Sequence, residues 1–320
     1  MAETATGDRA HNGDRAPDAP TKLSKRTWFG TLKRTLREFK EDDLTLLAAA
    51  LTYYGILSLF PALLVLLSLL GLAGQSTIDT LLQNIGEIAP SATNDVITRA
   101  IENLQKSSGA AGVAFIVGIA GALWSASGYV GGFMKASNVI YEVEEGRKFW
   151  KLKPLQILVT LIIVVLTTVV VIAVVVSGPI AQRVGDVIGL GDTAVTVFNI
   201  VKWPVIALIV SQIFAFLYWV SPNVKQPGYK WISPGGFLAV LLWIVASAAF
   251  AFYVANFGSY SKTYGSFAAV IIFLVWLWIT NLVMLLGAEF NAEVERGRQI
   301  EAGHDPEQEP FLPHREAPKA

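Results

Sequence analysis

A chain of 320 residues with 53% hydrophobic and only 16% charged residues is too apolar for an ordinary soluble domain, in which about a quarter of the residues are charged. The formal net charge is zero, and the absence of cysteine excludes disulfides, thiol nucleophiles and thiolate metal sites. The three histidines, His11, His304 and His314, lie in polar tails, so the body of the protein lacks the commonest general base and metal ligand. The first forty residues are polar, and no cleavable signal peptide is expected.

The amino-terminal part of the chain predicts a disordered tail followed by a basic amphipathic helix. Residues 1–24 are rich in Ala, Asp, Pro, Gly and Thr without periodicity, which is typical of disorder. Within residues 25–43, apolar side chains recur at helical spacing between basic ones, namely Trp28, Phe29, Leu32, Leu36 and Phe39. We expect this helix to lie in the lipid headgroup layer, although a helix that binds a protein partner would have a similar pattern.

Six apolar segments are long enough to cross a hydrocarbon core of about 30 Å, which needs roughly 20 helical residues. They cover residues 44–72, 109–135, 155–176, 200–220, 236–257 and 266–290. The segment 76–108 has the pattern of two short amphipathic helices outside the bilayer, and residues 177–198 form a second outer segment. The predicted fold is therefore an all-α integral membrane protein, a bundle of six transmembrane helices with short amphipathic outer helices. This transmembrane domain would occupy residues 44–296, and a disordered tail would follow at 297–320.

The distribution of positive charge predicts the orientation of the six spans. If the amino end lies inside, 20 of the 25 Lys and Arg residues fall in cytoplasmic segments, and the excess alternates correctly at every connector. Cytoplasmic loops carry such an excess in multi-pass proteins. Both termini are therefore predicted to be cytoplasmic.

Small residues mark the second span as the helix against which the others pack. On a helix Gly121, Ser125, Gly128 and Gly132 share one face, which lets neighbouring backbones approach closely in lipid. Plain membrane composition is the alternative reading, because glycine is common in membrane helices.

The centres of the spans carry no charge, which disfavours a proton relay of buried carboxylates. The polar side chains at depth are uncharged: Tyr53, Tyr54, Ser58, Ser125, Ser127 and Asn281. Pro61 removes a backbone donor and predicts a kink beside the two tyrosines. These groups either line a path for an amphiphile with a polar head or form interhelical hydrogen bonds worth ~1 kcal/mol or less each.

Charged residues are concentrated at the predicted cytoplasmic face. Glu289 lies near the inner interface, where it would snorkel to headgroups, pair with Lys135 or lie at the mouth of a cavity. Acidic clusters at Glu41-Asp42-Asp43, at Glu142 to Glu145 and at Glu289 to Glu295 can hold Mg²⁺ if they converge, but solvated connectors look the same. No Walker-type phosphate loop is present.

The chain resembles the YihY/BrkB family of bacterial inner-membrane proteins, once labelled ribonuclease BN-like. The stretches that carry the resemblance span about residues 30–296: Leu47-Ala48-Ala49-Ala50-Leu51-Thr52-Tyr53-Tyr54 with Pro61, Trp124-Ser125-Ala126-Ser127 with Asn138, Tyr141 and Arg147, Tyr218 with Pro222-Asn223, Gly235-Gly236, Tyr264-Gly265-Ser266, Trp276-Leu277-Trp278, and Gly287-Ala288-Glu289. Thr52 stands where a smaller residue is expected, a departure from the pattern. The resemblance implies a six-helix protein of the bacterial cytoplasmic membrane and no settled activity.

The function predicted from these patterns is a transporter or flippase-like protein for a lipid or other amphiphile. The alternative is a non-transporting scaffold that binds a partner through its cytoplasmic face, at Lys135, Asn138, Tyr141, Glu142, Arg147 and Glu289. Membrane lipids are the expected partners, including an anionic lipid or amphiphilic substrate, and a homo-oligomer is left open. No enzyme activity, cofactor, metal or nucleic acid is expected, since the residues give the nuclease label no support.

Overall fold

A computed structural model describes residues 17, 19–72, 112–187, 191–226, 228, 229, 233–256 and 267–318. This part of the chain is helical without strands, apart from an isolated bridge between Val224 and His314. A short 3-10 turn at Pro20–Lys22 precedes seven α-helices: α1 Lys25–Glu41, α2 Leu44–Leu72, α3 Gly112–Ile140, α4 Phe149–Val187, α5 Gly191–Val220, α6 Ser233–Asn256 and α7 Phe267–Glu301. The prediction of an all-α protein is confirmed.

Four helical segments in the described residues are long and apolar enough to cross a membrane. They are Phe149–Val171, Ile200–Val220, Pro234–Asn256 and Val270–Glu301. Helices α2 and α3 have 29 residues each, which corresponds to about 44 Å at 1.5 Å per residue. The six-span bundle with both ends in the cytoplasm stays a prediction, and the helices expected within 76–108 lie outside the described residues.

The helix bounds differ from the predicted spans mainly where a helix continues into polar sequence. Helix α2 begins and ends at the predicted residues and runs through Pro61. Helix α4 has 39 residues and continues to Val187, past the end of the apolar run. Helix α7 continues to Glu301, because its charged end consists of helix-forming residues such as Glu295 and Arg298, whose side chains pair at 2.5 Å three positions apart. The end of an apolar run therefore marks a change of surroundings and not the end of a helix.

The chain divides into two compact units. The first comprises residues 1–50, 134–147 and 214–320, and the second comprises residues 51–133 and 148–213. In the first unit α7 packs against both α1 and α6.

Helix α1 turns its polar face to α7 and leaves apolar side chains outside. Ser24 caps its first turn, accepting a hydrogen bond from the backbone N–H of Thr27 at 3.1 Å. The residues it buries are Thr31, Thr35 and Glu38. The side chains of Phe29, Leu32 and Leu36 are exposed by 74%, 52% and 60%. This inverted arrangement supports the predicted headgroup-layer position, which stays a prediction.

Helices α6 and α7 approach closely at two glycines. A methyl group at Gly287 would lie 2.7 Å from the Tyr218 hydroxyl, 2.8 Å from the Ala239 Cβ and 2.9 Å from the carbonyl oxygen of Gly235. Only glycine permits this separation. Indole N–H groups tie the same two helices further along, where Trp243 donates to the Thr280 hydroxyl at 3.1 Å.

Candidate functional site

Two of the predicted cytoplasmic-face residues, Asn138 and Arg147, meet in one polar group, here called the connector cluster (Asn138, Glu145, Arg147, Asn223 and Glu316). The side-chain amide of Asn138 donates to Glu145 at 3.0 Å, and its oxygen accepts from the backbone N–H of Asn223 at 2.8 Å. Arg147 is only 8% exposed and makes two hydrogen bonds of 2.7 Å to Glu145. Hydrogen bonding to Arg147 and Asn138 outweighs burial and lowers the pKa of the Glu145 carboxyl.

The carboxyl-terminal segment, residues 302–318, completes the connector cluster. Asn223 donates from its side chain to the backbone carbonyl of Glu316 at 2.8 Å and accepts from the Glu316 N–H at 3.1 Å. Nearby, Arg315 donates to the carbonyl of Val224 at 2.7 Å, and the ring of Phe311 stacks on Tyr141 with centroids 5.7 Å apart. The structure therefore differs from the predicted disordered tail at 297–320. Composition alone does not show that these backbone groups find partners on the segment around Asn223.

A second group, here called the carboxylate cluster, surrounds two arginines in the first unit. It consists of Glu38, Asp42, Glu142, Glu289 and Glu293, with Arg34 and Arg296. Arg296 is 4% exposed and pairs with Glu142 at 2.6 Å and with Glu293 at 3.1 Å, while Arg34 pairs with Glu293 from α1. Glu38, Glu289 and Glu293 are buried, whereas Asp42 and Glu142 are half-buried, so these side chains are not the solvated connector residues that one interpretation of the sequence predicts. The described residues contain no group of three or more His, Asp or Glu side chains suited to a metal ion.

Two carboxyl groups of this cluster share a hydrogen bond. Asp42 bonds to Glu289, and burial, with Glu38 and Glu41 nearby, raises the pKa of Asp42 to about 6. A hydrogen bond between two carboxyl groups requires a proton on one of them. The Glu289 side chain is 1% exposed, and Lys135 is exposed at the surface. The partner of Glu289 is thus a carboxyl group on the segment after α1, and the predicted pairing with Lys135 is not observed.

Glu142 is a second carboxyl group of this cluster whose pKa is raised. Burial is the main cause that raises its pKa to about 7, and the neighbouring carboxyl group of Glu309 adds to the effect, while the charge of Arg296 opposes it. The described structure therefore holds two carboxyl groups that titrate near neutral pH at the predicted cytoplasmic ends of helices.

In the second unit, polar residues of α2 face the small residues of α3. A methyl group at Gly132 would lie 2.9 Å from the ring of Tyr54, and one at Gly128 would lie 4.0 Å from the hydroxyl of Ser58. Ser58 is buried, and Tyr54 is 36% exposed. The predicted packing face thus contacts α2 at Gly128 and Gly132.

Other predicted residues do not join this contact. A methyl group at Gly121 would meet no atom within 4 Å, and Ser125 is exposed. Tyr53 is 63% exposed and contacts the ring of Tyr54 edge-on at 5.7 Å. Asn281 is fully buried in the first unit.

Ser127 accepts a hydrogen bond from a lysine ammonium group. Lys153, near the start of α4, donates to the Ser127 hydroxyl at 2.6 Å and to the backbone carbonyl of Trp124 at 3.2 Å. Its ammonium nitrogen also lies 4.6 Å from the centroid of the Trp124 ring. All three partners are uncharged.

Comparison with known proteins shows the family of the chain, and the matched range includes helices α2 to α7 and all residues of the two clusters except Arg34 and Glu316. A model of the family described as Virulence factor BrkB matches residues 35–311. The chain belongs to the BrkB family. No solved structure matches.

Relatives of this BrkB-family chain are bacterial proteins that carry membrane names or a ribonuclease-like name. YfkH of Bacillus subtilis, named as ribonuclease-like, is 30% identical over 264 residues, which cover 82% of this chain and 93% of YfkH. A UPF0761 membrane protein of Alkalilimnicola ehrlichii is 30% identical over 280 residues, 83% of this chain but only 60% of that protein. The UPF0761 membrane protein PBPRA3489 of Photobacterium profundum is 29% identical over 270 residues, 82% and 80% of the two chains.

Sequence reasoning missed Arg34, Arg296 and the carboxyl-terminal segment. The one available signal for Arg296 was its spacing from Glu293, which places both on one helix face. Nothing local relates Arg34 to Glu293, because 259 residues separate them.

Proposed function

We propose that this protein is a multi-pass protein of the bacterial cytoplasmic membrane, with both termini in the cytosol, that carries a lipid or another amphiphile in the manner of a transporter or flippase. Membership of the BrkB family and the membrane names of its relatives support the location. The asymmetry of Lys and Arg supports the orientation.

The observation that carries the transport proposal is the contact between α2 and α3. Tyr54 and Ser58 lie on a helix without charged residues and face glycines of the neighbouring helix. Pro61, one turn beyond Ser58, cannot donate to the carbonyl of Leu57, so a further polar group is left without its helical partner. An uncharged polar strip of this kind can accept a polar head while the acyl chains of the amphiphile stay in lipid.

The test is a scrambling assay in proteoliposomes that contain a fluorescent phospholipid in both leaflets and are bleached from outside. The wild-type protein is expected to expose the inner-leaflet lipid, and Ser58→Ala with Tyr54→Phe is expected to slow exposure about fivefold per lost polar contact of ~1 kcal/mol. Ser125→Ala is the matched control, because it removes a hydroxyl that is exposed on α3. Equal rates for wild-type vesicles and protein-free vesicles would overturn the proposal.

The scaffold alternative has less support from the geometry. Arg147 and Glu289, through which a partner was expected to bind, are 8% and 1% exposed, and Glu142 is paired with Arg296. These contacts favour a role inside the protein. The nuclease suggested by the name of YfkH is tested separately by incubating purified protein with RNA and Mg²⁺, and we expect no hydrolysis.

A further inference from the structure

The start of α4 presents a basic and aromatic surface in the second unit. Lys148, Lys151 and Lys153 follow one another within six residues, and the first two are exposed. The sequence contains no Asp or Glu between Gly146 and Asp186. The surface therefore carries positive charge that its own helix does not neutralise.

Lys153 differs from an ordinary interfacial lysine because a buried hydroxyl and a backbone carbonyl fix its position. The hydroxyl of Ser127 is fully buried, accepts from Lys153 at 2.6 Å and donates to the carbonyl of Trp124 at 2.7 Å. The Trp124 carbonyl accepts a second N–H of the same ammonium group at 3.2 Å. Since an ammonium has three donors, one N–H is left for a further acceptor. In the described residues no carboxylate pairs with Lys153.

The Trp124 ring beside this ammonium belongs to a row of three exposed rings. Trp124, Phe149 and Trp150 are 52%, 56% and 81% exposed, and they contact one another in sequence with centroid distances of 6.4 and 5.3 Å. Aromatic and basic side chains together are typical of the depth at which phospholipid headgroups meet acyl chains. The three rings form an exposed apolar surface, and the ammonium of Lys153 lies against the first of them, Trp124.

We propose that Lys153, held by Ser127 and Trp124, binds the phosphate of an anionic phospholipid, whose acyl chains pack on Phe149 and Trp150. A phosphodiester supplies the missing acceptor and the missing negative charge at once. Lys148 and Lys151 add to the attraction for a headgroup with net negative charge. This inference concerns binding alone and stands whether or not the protein moves lipid.

Native mass spectrometry of the detergent-purified full chain, titrated with phosphatidylglycerol or phosphatidylcholine, tests the site. Lys153→Gln is expected to weaken phosphatidylglycerol binding about fivefold and to leave phosphatidylcholine binding unchanged. Lys153→Arg is expected to retain most of the affinity, and Ser127→Ala to lose part of it without any change of charge. Thermal unfolding of each variant shows whether the fold is intact.

Lys202 provides the matched control. It lies 5.7 Å from the ring of Trp203, which is 62% exposed, and it belongs to the same unit. If Lys202→Gln lowers phosphatidylglycerol binding as much as Lys153→Gln does, the effect is general interfacial charge and the proposed site is wrong. Equal affinity of the wild-type protein for the two lipids, or displacement of the lipid by inorganic phosphate alone, would also overturn it.

Discussion

Replacing Gly287 with alanine tests whether the close approach of α6 and α7 holds the first unit together. The added methyl group would lie 2.8 Å from the Ala239 Cβ, whereas two carbon atoms are most favourable at about 3.5–4.0 Å. The helices must therefore separate by roughly 1 Å. The Tyr218 hydroxyl, which donates to the carbonyl of Met284 at 2.8 Å, would have to move as well, because it lies 2.7 Å from the new methyl group.

The expected cost follows from these distances. Overpacking of this kind costs about 1–3 kcal/mol, and a strained hydrogen bond to Tyr218 places Gly287→Ala in the upper part of that range. Alanine is favoured over glycine in a helix by about 1 kcal/mol, which offsets part of the cost. The net loss of unfolding free energy is then about 1–2 kcal/mol.

The assay is unfolding in mixed micelles titrated with SDS, followed by circular dichroism. Gly121→Ala is the control, since it makes the same chemical change in a helix where the methyl group meets no atom within 4 Å. The control is expected to unfold at the same or a higher SDS fraction than the wild-type protein. If Gly287→Ala and Gly121→Ala unfold at the same SDS fraction, the inferred contact between α6 and α7 is wrong.

Three further predictions concern the clusters and the carboxyl-terminal segment. Burial raises the pKa of Asp42 from 3.8 to about 6 and that of Glu142 from 4.5 to about 7, so the folded protein holds protons that the unfolded chain releases. The stability gained from these bound protons is fully present below pH ~4 and is lost as pH rises through 6 and 7. The unfolding free energy should fall by only about 1 kcal/mol over this range, since solvent screens these half-buried groups. If the Asp42→Asn, Glu142→Gln protein shows the same dependence of unfolding free energy on pH as the wild-type protein, the assignment is wrong. Arg296→Gln removes the basic partner of half-buried Glu142 and one of the two basic partners of buried Glu293, and it is expected to cost about 3 kcal/mol in the same SDS titration. A loss under ~1 kcal/mol would contradict the pairing. Gly146→Ala is expected to release residues 302–318, because its methyl group would lie 2.6 Å from the Ala317 carbonyl oxygen. The rate of hydrogen exchange at the Glu316 N–H should then rise at least tenfold. Continued protection of this N–H would show that the segment packs in a different way.

The lengths of the apolar runs predicted the helices of this protein, but they did not predict which charged side chains are buried or what those side chains contact. Leu44–Leu72 is helical over the predicted residues because nothing in that run offers the backbone an alternative to the helix. The polar helical segments, α1 and the end of α7, were not predicted as well. Helix α1 was recognised as amphipathic, yet its buried face is the polar one, since the facing end of α7 carries Glu293.

The candidate site shows the same limit. Asn138 and Arg147 were identified by resemblance, and their position in a predicted connector suggested exposure to the cytosol. In the structure they are buried because Asn223 and Glu316 supply partners from distant parts of the chain. Pairings over such separations leave no local pattern in the sequence. The contact of Ser127 with Lys153 escaped prediction for this reason too.

The hydrogen bonds of the carboxyl-terminal segment affect where a fusion tag can be placed. Glu316 is hydrogen-bonded to Asn223 through both its backbone N–H and its backbone carbonyl. An affinity tag or fluorescent reporter inserted directly after Glu316 would crowd the connector cluster around Arg147 and Asn223. Fusions intended to leave that cluster undisturbed belong at the amino terminus, ahead of Pro20, or behind a long spacer.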